Sequence, residues 1–253
     1  MKKRYVWLLF LVLLSFSSCV DIVENYDFKT DGSCNIVYTF DMSSAVSVLM
    51  NLMSDSVRAT PQFSMVKDTT LNFYSALPDS TQFKLTPDEV NMAQSSNLSV
   101  KMDLGKSIMK ISINHLAKNA KDLQYYLQHI SKISMNGDLG GVADKNTTRG
   151  FDGQQLVAGQ DYYSYEITPH KFYRVIDKVK FKAFLKRTQS TFAMAKAMLI
   201  GMPYKVVLTF AKPIKKISNS KAILSADRKR VTLITNMDEM IKDPTVTNLK
   251  IDF

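Results

Sequence analysis

The chain has 253 residues, of which 45% are apolar and 22% charged, with a formal net charge of +10 at pH 7. That apolar share is enough to build a core and excludes disorder of the whole chain.

Lys2, Lys3 and Arg4 form a basic start, Tyr5 through Leu14 an apolar run, and Ser15 to Ser18 a small-residue stop before Cys19. These are the parts of a secretory signal. The run is about half of the ~20 apolar residues that a helix needs to cross a bilayer. Ser17-Ser18-Cys19 resembles the lipobox of bacterial lipoproteins, in the relaxed form found in the Bacteroidetes, with Phe16 where an aliphatic residue is usual. The resemblance implies removal of residues 1–18 and acylation, palmitate included, of Cys19. It further implies a single extracytoplasmic domain over residues 19–253, lipid-anchored to a bacterial membrane, the outer one, and lying in the periplasm or at the cell surface. A basic domain there has anionic lipid or polysaccharide as neighbours, and nucleic acid is not expected. Of the two cysteines, Cys34 has no disulfide partner if Cys19 is lipidated, and the domain is then held by its core alone.

Residues 22–29 and 34–41 alternate around the turn Asp31-Gly32 and read as a hairpin. Asp41 or Ser43 can cap a following helix, where Ala45, Val46, Leu49, Met50 and Met53 recur at helical spacing. Leu71, Phe73, Tyr74 and Leu77 suggest a short helix ended by Pro78, and Thr86-Pro87-Asp88-Glu89 a capping box opening another. A second hairpin runs through Leu98, Val100 and Met102, turns at 103–106 and returns over 108–113. Asn119 to Met135 reads as an amphipathic helix. Six of the chain's nine glycines lie between Gly137 and Gly159 and mark a loop. Strands are expected at 162–168 and 171–176, then a long helix over 179–200 ended by Gly201 and Pro203. The tail reads as strands at 204–210, 214–217, 222–225, 231–235 and 247–253. The pattern predicts an α+β fold, a mostly antiparallel sheet with helices packed on one face.

The sequence carries no recognisable catalytic signature. His115, His129 and His170 stand in no metal-binding spacing, and no nucleophile elbow or phosphate-binding loop occurs. Asn136 to Asp144 lacks the acid that a calcium loop needs, with Thr147 in its place. Cys34 reads as a small strand residue rather than a reactive thiol. No cofactor and no metal is expected, and the chain is read as a non-enzyme.

Two features could carry binding. Met42, Met50, Met53, Met194, Met198 and Met202 crowd two helical segments, and methionine suits flexible apolar ligands, although core packing explains it as well. Lysines line the second segment. The expected site is a groove between helices 42–53 and 179–200, with Met50, Met53, Leu185 and Met198 along an acyl chain and Lys180, Lys186 and Lys215 at its mouth.

The run Leu208-Thr209-Phe210, Lys212-Pro213-Ile214, Ile217 to Ser220 and Asp227 to Leu233, with the turn Asp31-Gly32-Ser33, resembles the extracytoplasmic domain of LppM-like lipoproteins. That resemblance covers about a quarter of the chain. It implies an α+β lipid-binding-like domain at the envelope, with glycolipid handling as its role and no catalytic residues to carry over. The function expected is thus a non-enzymatic envelope lipoprotein that binds a lipid, a glycolipid or another envelope component. The alternatives are an assembly accessory protein that holds an envelope protein partner, and an unrecognised hydrolase.

Overall fold

Alternation of apolar and polar residues gives most strands one buried and one wet face, and two sheets close on each other through their buried faces. The computed structural model describes residues 20–64, 66–131, 161–190, 193 and 201–253. The strands are β1 (Asp21–Phe28), β2 (Cys34–Asp41), β3 (Val66–Asn72), β4 (Ser96–Asp103), β5 (Ile108–Ala117), β6 (Tyr163–Thr168), β7 (Lys171–Ile176), β8 (Pro203–Phe210), β9 (Lys216–Ile217), β10 (Ile223–Leu224), β11 (Arg230–Asn236) and β12 (Leu249–Asp252). Eight form one sheet in the order β10-β11-β8-β1-β2-β5-β4-β3, and four form a second in the order β6-β7-β12-β9. Pairing is antiparallel except between β1 and β8, which run parallel with Ile22 opposite Tyr204.

The helices are α1 (Ser43–Leu52), α2 (Asp55–Arg58), α3 (Phe73–Ala76), α4 (Asp79–Gln82), α5 (Pro87–Gln94), α6 (Ala120–His129), α7 (Lys178–Arg187) and α8 (Met237–Lys242). The α+β class and the largely antiparallel sheet agree with the sequence reading. The second sheet is an addition to it. Ile22 and Tyr26 of β1, Val206 and Leu208 of β8, and Val231 and Leu233 of β11 face Phe172 and Ile176 of β7 and Leu249 and Ile251 of β12 across one core. Tyr26 and Phe172 meet with ring centroids 5.3 Å apart. Helix α6 packs on β6 and β5 and joins the sheets at one side. Its Gln124 carboxamide oxygen accepts the Ile167 N–H on the edge strand β6, at 2.8 Å.

Local chemistry sets several element ends. Gly32 has φ +87°, the left-handed value the hairpin turn demands. Thr86 and Glu89 form the reciprocal capping box at the start of α5. Asn119, Asp177 and Asn236 cap α6, α7 and α8 with their side-chain oxygens. The short helix expected around Leu71 to Leu77 is corrected. Residues 66–72 pair with β4 as a strand, the Thr70 hydroxyl meets that of Ser99 at 2.8 Å, and only Phe73–Ala76 turns helically. Here pairing with a neighbouring strand outweighs local helical spacing. Of the long helix expected over 179–200, Lys178–Arg187 is helical, and 194–200 lies outside the described residues. So do Cys19, Met135 and the glycine-rich segment 137–159.

Candidate functional site

Charged residues on buried strand faces are the first chemistry to account for. Glu24 sits between Ile22 and Tyr26 on β1, and Arg174 between Phe172 and Ile176 on β7. Both are buried, and the Arg174 Nη1 donates to Glu24 Oε2 at 2.7 Å. Tyr26 and Tyr204 donate their hydroxyls to Glu24 at 2.9 and 2.5 Å. Arg174 also reaches the Tyr204 hydroxyl and the Thr247 carbonyl, and its guanidinium lies 4.4 Å from the centre of the Tyr163 ring. Burial pushes the Tyr26 and Tyr204 phenols well above their ordinary pKa, so they remain protonated donors. This network joins the two sheets in the middle of the core and has no access to solvent. The sequence pattern holds its signal, a lone charge at the inward position of an alternating strand, which the motif reading passed over.

Ser96 and His115 form a second buried polar contact, Oγ to Nδ1 at 2.9 Å. It is not a nucleophile and base. Both residues are buried, the Ser96 hydroxyl donates to the Met92 carbonyl at 2.7 Å, and the imidazole stacks on Tyr126 with centroids 3.8 Å apart. Burial holds the His115 pKa down at about 4, so the ring is neutral. Among the described residues no group of three or more His, Cys, Asp or Glu side chains could hold a metal ion.

The residues expected to form one groove are dispersed. Met50 is buried with Val46 on α1, a helix that lies against β5, and Met53 is half-buried at the end of α1. Leu185 and Lys186 do line an apolar trough, together with Lys178, Val179, Lys182 and Ala183, but its far wall is Ile241 of α8 rather than α1. Lys180 is exposed on α7 outside that lining. Lys215 is at the other end of the four-stranded sheet, where it donates to the Phe253 carbonyl at 3.2 Å. Met198 lies outside the described residues. The periodicity of α1 marks a buried stripe without saying what covers it, and the covering element is β5.

The most built recess is a cleft of about 390 Å³ at the turn end of the sandwich. The β1–β2 turn (Lys29 to Gly32), the β6–β7 turn (Thr168 to His170), the first turn of α6 and the segment after β8 converge on it. Its inner lining is apolar. Leu123 and Cys34 are buried, and Phe28 and Phe253, with centroids 5.4 Å apart, are half-buried. Lys29, Lys212 and His170 are the exposed cationic or ionisable bases of its lining. Lys29 pairs with Asp27, and the Asp31 carboxylate accepts the Ser33 hydroxyl and N–H, which hold its pKa below the ordinary value. Burial pushes the Cys34 thiol far up, so it lies in the cleft as an apolar, un-ionised group. The cleft falls in the ~300–1,000 Å³ range of small-molecule sites, with an apolar body and a few polar groups at its edge. Sequence reasoning found Asp31-Gly32 as a turn and the Cys34 position as a strand start, but not that Phe253 and His170 meet them.

No family model, no curated protein and no solved structure matches this chain. Among the described residues no helix is long and apolar enough to cross a membrane.

Proposed function

We propose that the protein is a non-enzymatic, lipid-anchored envelope lipoprotein that holds a small anionic amphiphile, such as a fatty acid or the acyl end of a glycolipid, in the turn-end cleft. One observation carries the reading: an apolar interior of Phe28, Leu123, Cys34 and Phe253 opens beside the cation Lys212 and the Lys29–Asp27 ion pair. An acyl chain gains about 0.8 kcal/mol for each methylene buried, and a carboxylate beside an exposed lysine adds a smaller, salt-sensitive attraction. The secretory signal and Ser17-Ser18-Cys19 supply the location, and the LppM-like resemblance of the tail points the same way.

The test is titration of the full chain with dansyl-labelled undecanoic acid, read by its emission shift. Ala211 lines the cleft, so Ala211→Trp should fill it and abolish binding. Lys212→Glu should weaken binding about fivefold and flatten its salt dependence. Both variants are to melt like the parent. A parent protein that leaves the emission unchanged, or binding that survives both substitutions, would defeat the proposal.

A further inference from the structure

Val20 is buried, its N–H donates to the Gly201 carbonyl at 3.1 Å, and β1 begins at Asp21. Consecutive Cα atoms are ~3.8 Å apart. An acyl group carried by Cys19 therefore leaves the protein within a residue of the edge where β1 starts. Sheet register identifies what else ends there. Asp21 lies opposite Asp41, Asp41 opposite Lys110, Ile22 opposite Tyr204, and Pro203 opposite Asn236. On the other flank Val66 pairs with Asp103, which pairs with Ile108. Helices α1 and α8 both start from this same edge, directly after Asp41 and Asn236.

Two surface features lie on elements that start from this edge or pack on one that does. Leu52 at the end of α1 is 76% exposed and Val66 at the start of β3 is 70% exposed, with Leu49 and Val57 also exposed. At the other flank the trough between α7 and α8 is lined by Val179, Leu185 and Ile241 and edged by Lys178, Lys182 and Lys186. Exposed aliphatic groups and exposed lysines fit an interface in which the first enter the headgroup layer and the second meet anionic headgroups.

We propose that this edge is a membrane-docking surface, whose partner is the anionic phospholipid leaflet in which the Cys19 acyl chains are embedded. The proposal rests on the lipid-anchor reading. Leu52 and Val66 enter the interface, and Lys178, Lys182 and Lys186 bind the headgroups. The sheet then stands on the bilayer rather than lying along it. The eight residues of β1 span about 25 Å at ~3.3 Å each, so the turn-end cleft is held that far above the lipid. It exchanges ligand with the aqueous side, not with the leaflet beneath it.

Spin-label accessibility on the full acylated chain in phosphatidylcholine–phosphatidylglycerol vesicles tests this. Labels go on Leu52→Cys, Val66→Cys and Lys212→Cys, with acylation scored separately by incorporation of labelled palmitate. Expected are labels at 52 and 66 shielded from a water-soluble relaxant and open to oxygen, and a label at 212 that stays aqueous. Reversal of Lys178, Lys182 and Lys186 to Glu should bring the 52 label back toward water, as each lysine contributes about fivefold in partition. Acylated protein whose 52 and 66 labels are as aqueous as 212 would overturn the docking surface and leave the anchor standing. Absence of palmitate would overturn both.

Discussion

Removal of Arg174 is the most telling perturbation of the core. The residue is fully buried, and its Nη1 lies 2.7 Å from Glu24 Oε2. Arg174→Met keeps the apolar stem but leaves Glu24 buried without its ion-pair partner, while Tyr26 at 2.9 Å and Tyr204 at 2.5 Å still donate to it. Breaking one side of a buried pair costs about 3–5 kcal/mol, because the remaining charge is uncompensated. A domain stability of about 5–15 kcal/mol makes that a large fraction of the whole. The double variant Glu24→Gln with Arg174→Met removes both charges and leaves the introduced carboxamide oxygen to accept from the tyrosines. The Arg174 Nε has no hydrogen-bond partner, so the native pair is not ideally satisfied, and its joint removal should cost less than either single change. The expected coupling is about 2–4 kcal/mol, read from urea unfolding of the parent, both single variants and the double. A loss below about 1 kcal/mol for Arg174→Met at unchanged m-value, or singles that simply add, would refute this account of the junction between the sheets.

Two further outcomes follow from the site geometry. Burial holds His115 near pKa 4 against an ordinary 6.5. The unfolded chain therefore binds its proton first, so stability is complete above about pH 6.5 and falls as the pH drops toward 4, by about 3 kcal/mol in all. His115→Gln should flatten that part of the pH–stability curve, and an unaltered slope would assign it to other groups. At the hairpin turn, nothing lies within 4 Å of a Cβ built on Gly32, whose φ is +87°. Gly32→Val should thus cost only its backbone strain, about 1–2 kcal/mol. Unchanged melting of that variant would mean the turn relaxes without penalty.

Alternation and turn chemistry, both local properties, made the strands, the Asp31-Gly32 hairpin and the Thr86 capping box readable from the residues in order. Val66 to Asn72 was not readable, because its strand conformation comes from pairing with β4 rather than from its own pattern. The same holds for the candidate sites. Helical spacing in α1 marks Val46 and Met50 as a buried stripe, but it cannot say that β5 covers them. Leu185 and Lys186 were legible as an apolar and a basic position, and their partner Ile241 was not, being more than fifty residues away. Residues with no local signal also meet only in the fold. Phe28 and Phe253 converge on the cleft, and Glu24 and Arg174 close across the two sheets, because the parallel pairing of β1 with β8 and the stacking of the second sheet bring distant strands to one place. The sequence by itself determined the class of fold, the strand faces and the expectation of an acylated Cys19. Tertiary structure decided which faces meet, since packing acts between segments whose separation along the chain leaves no trace in either one.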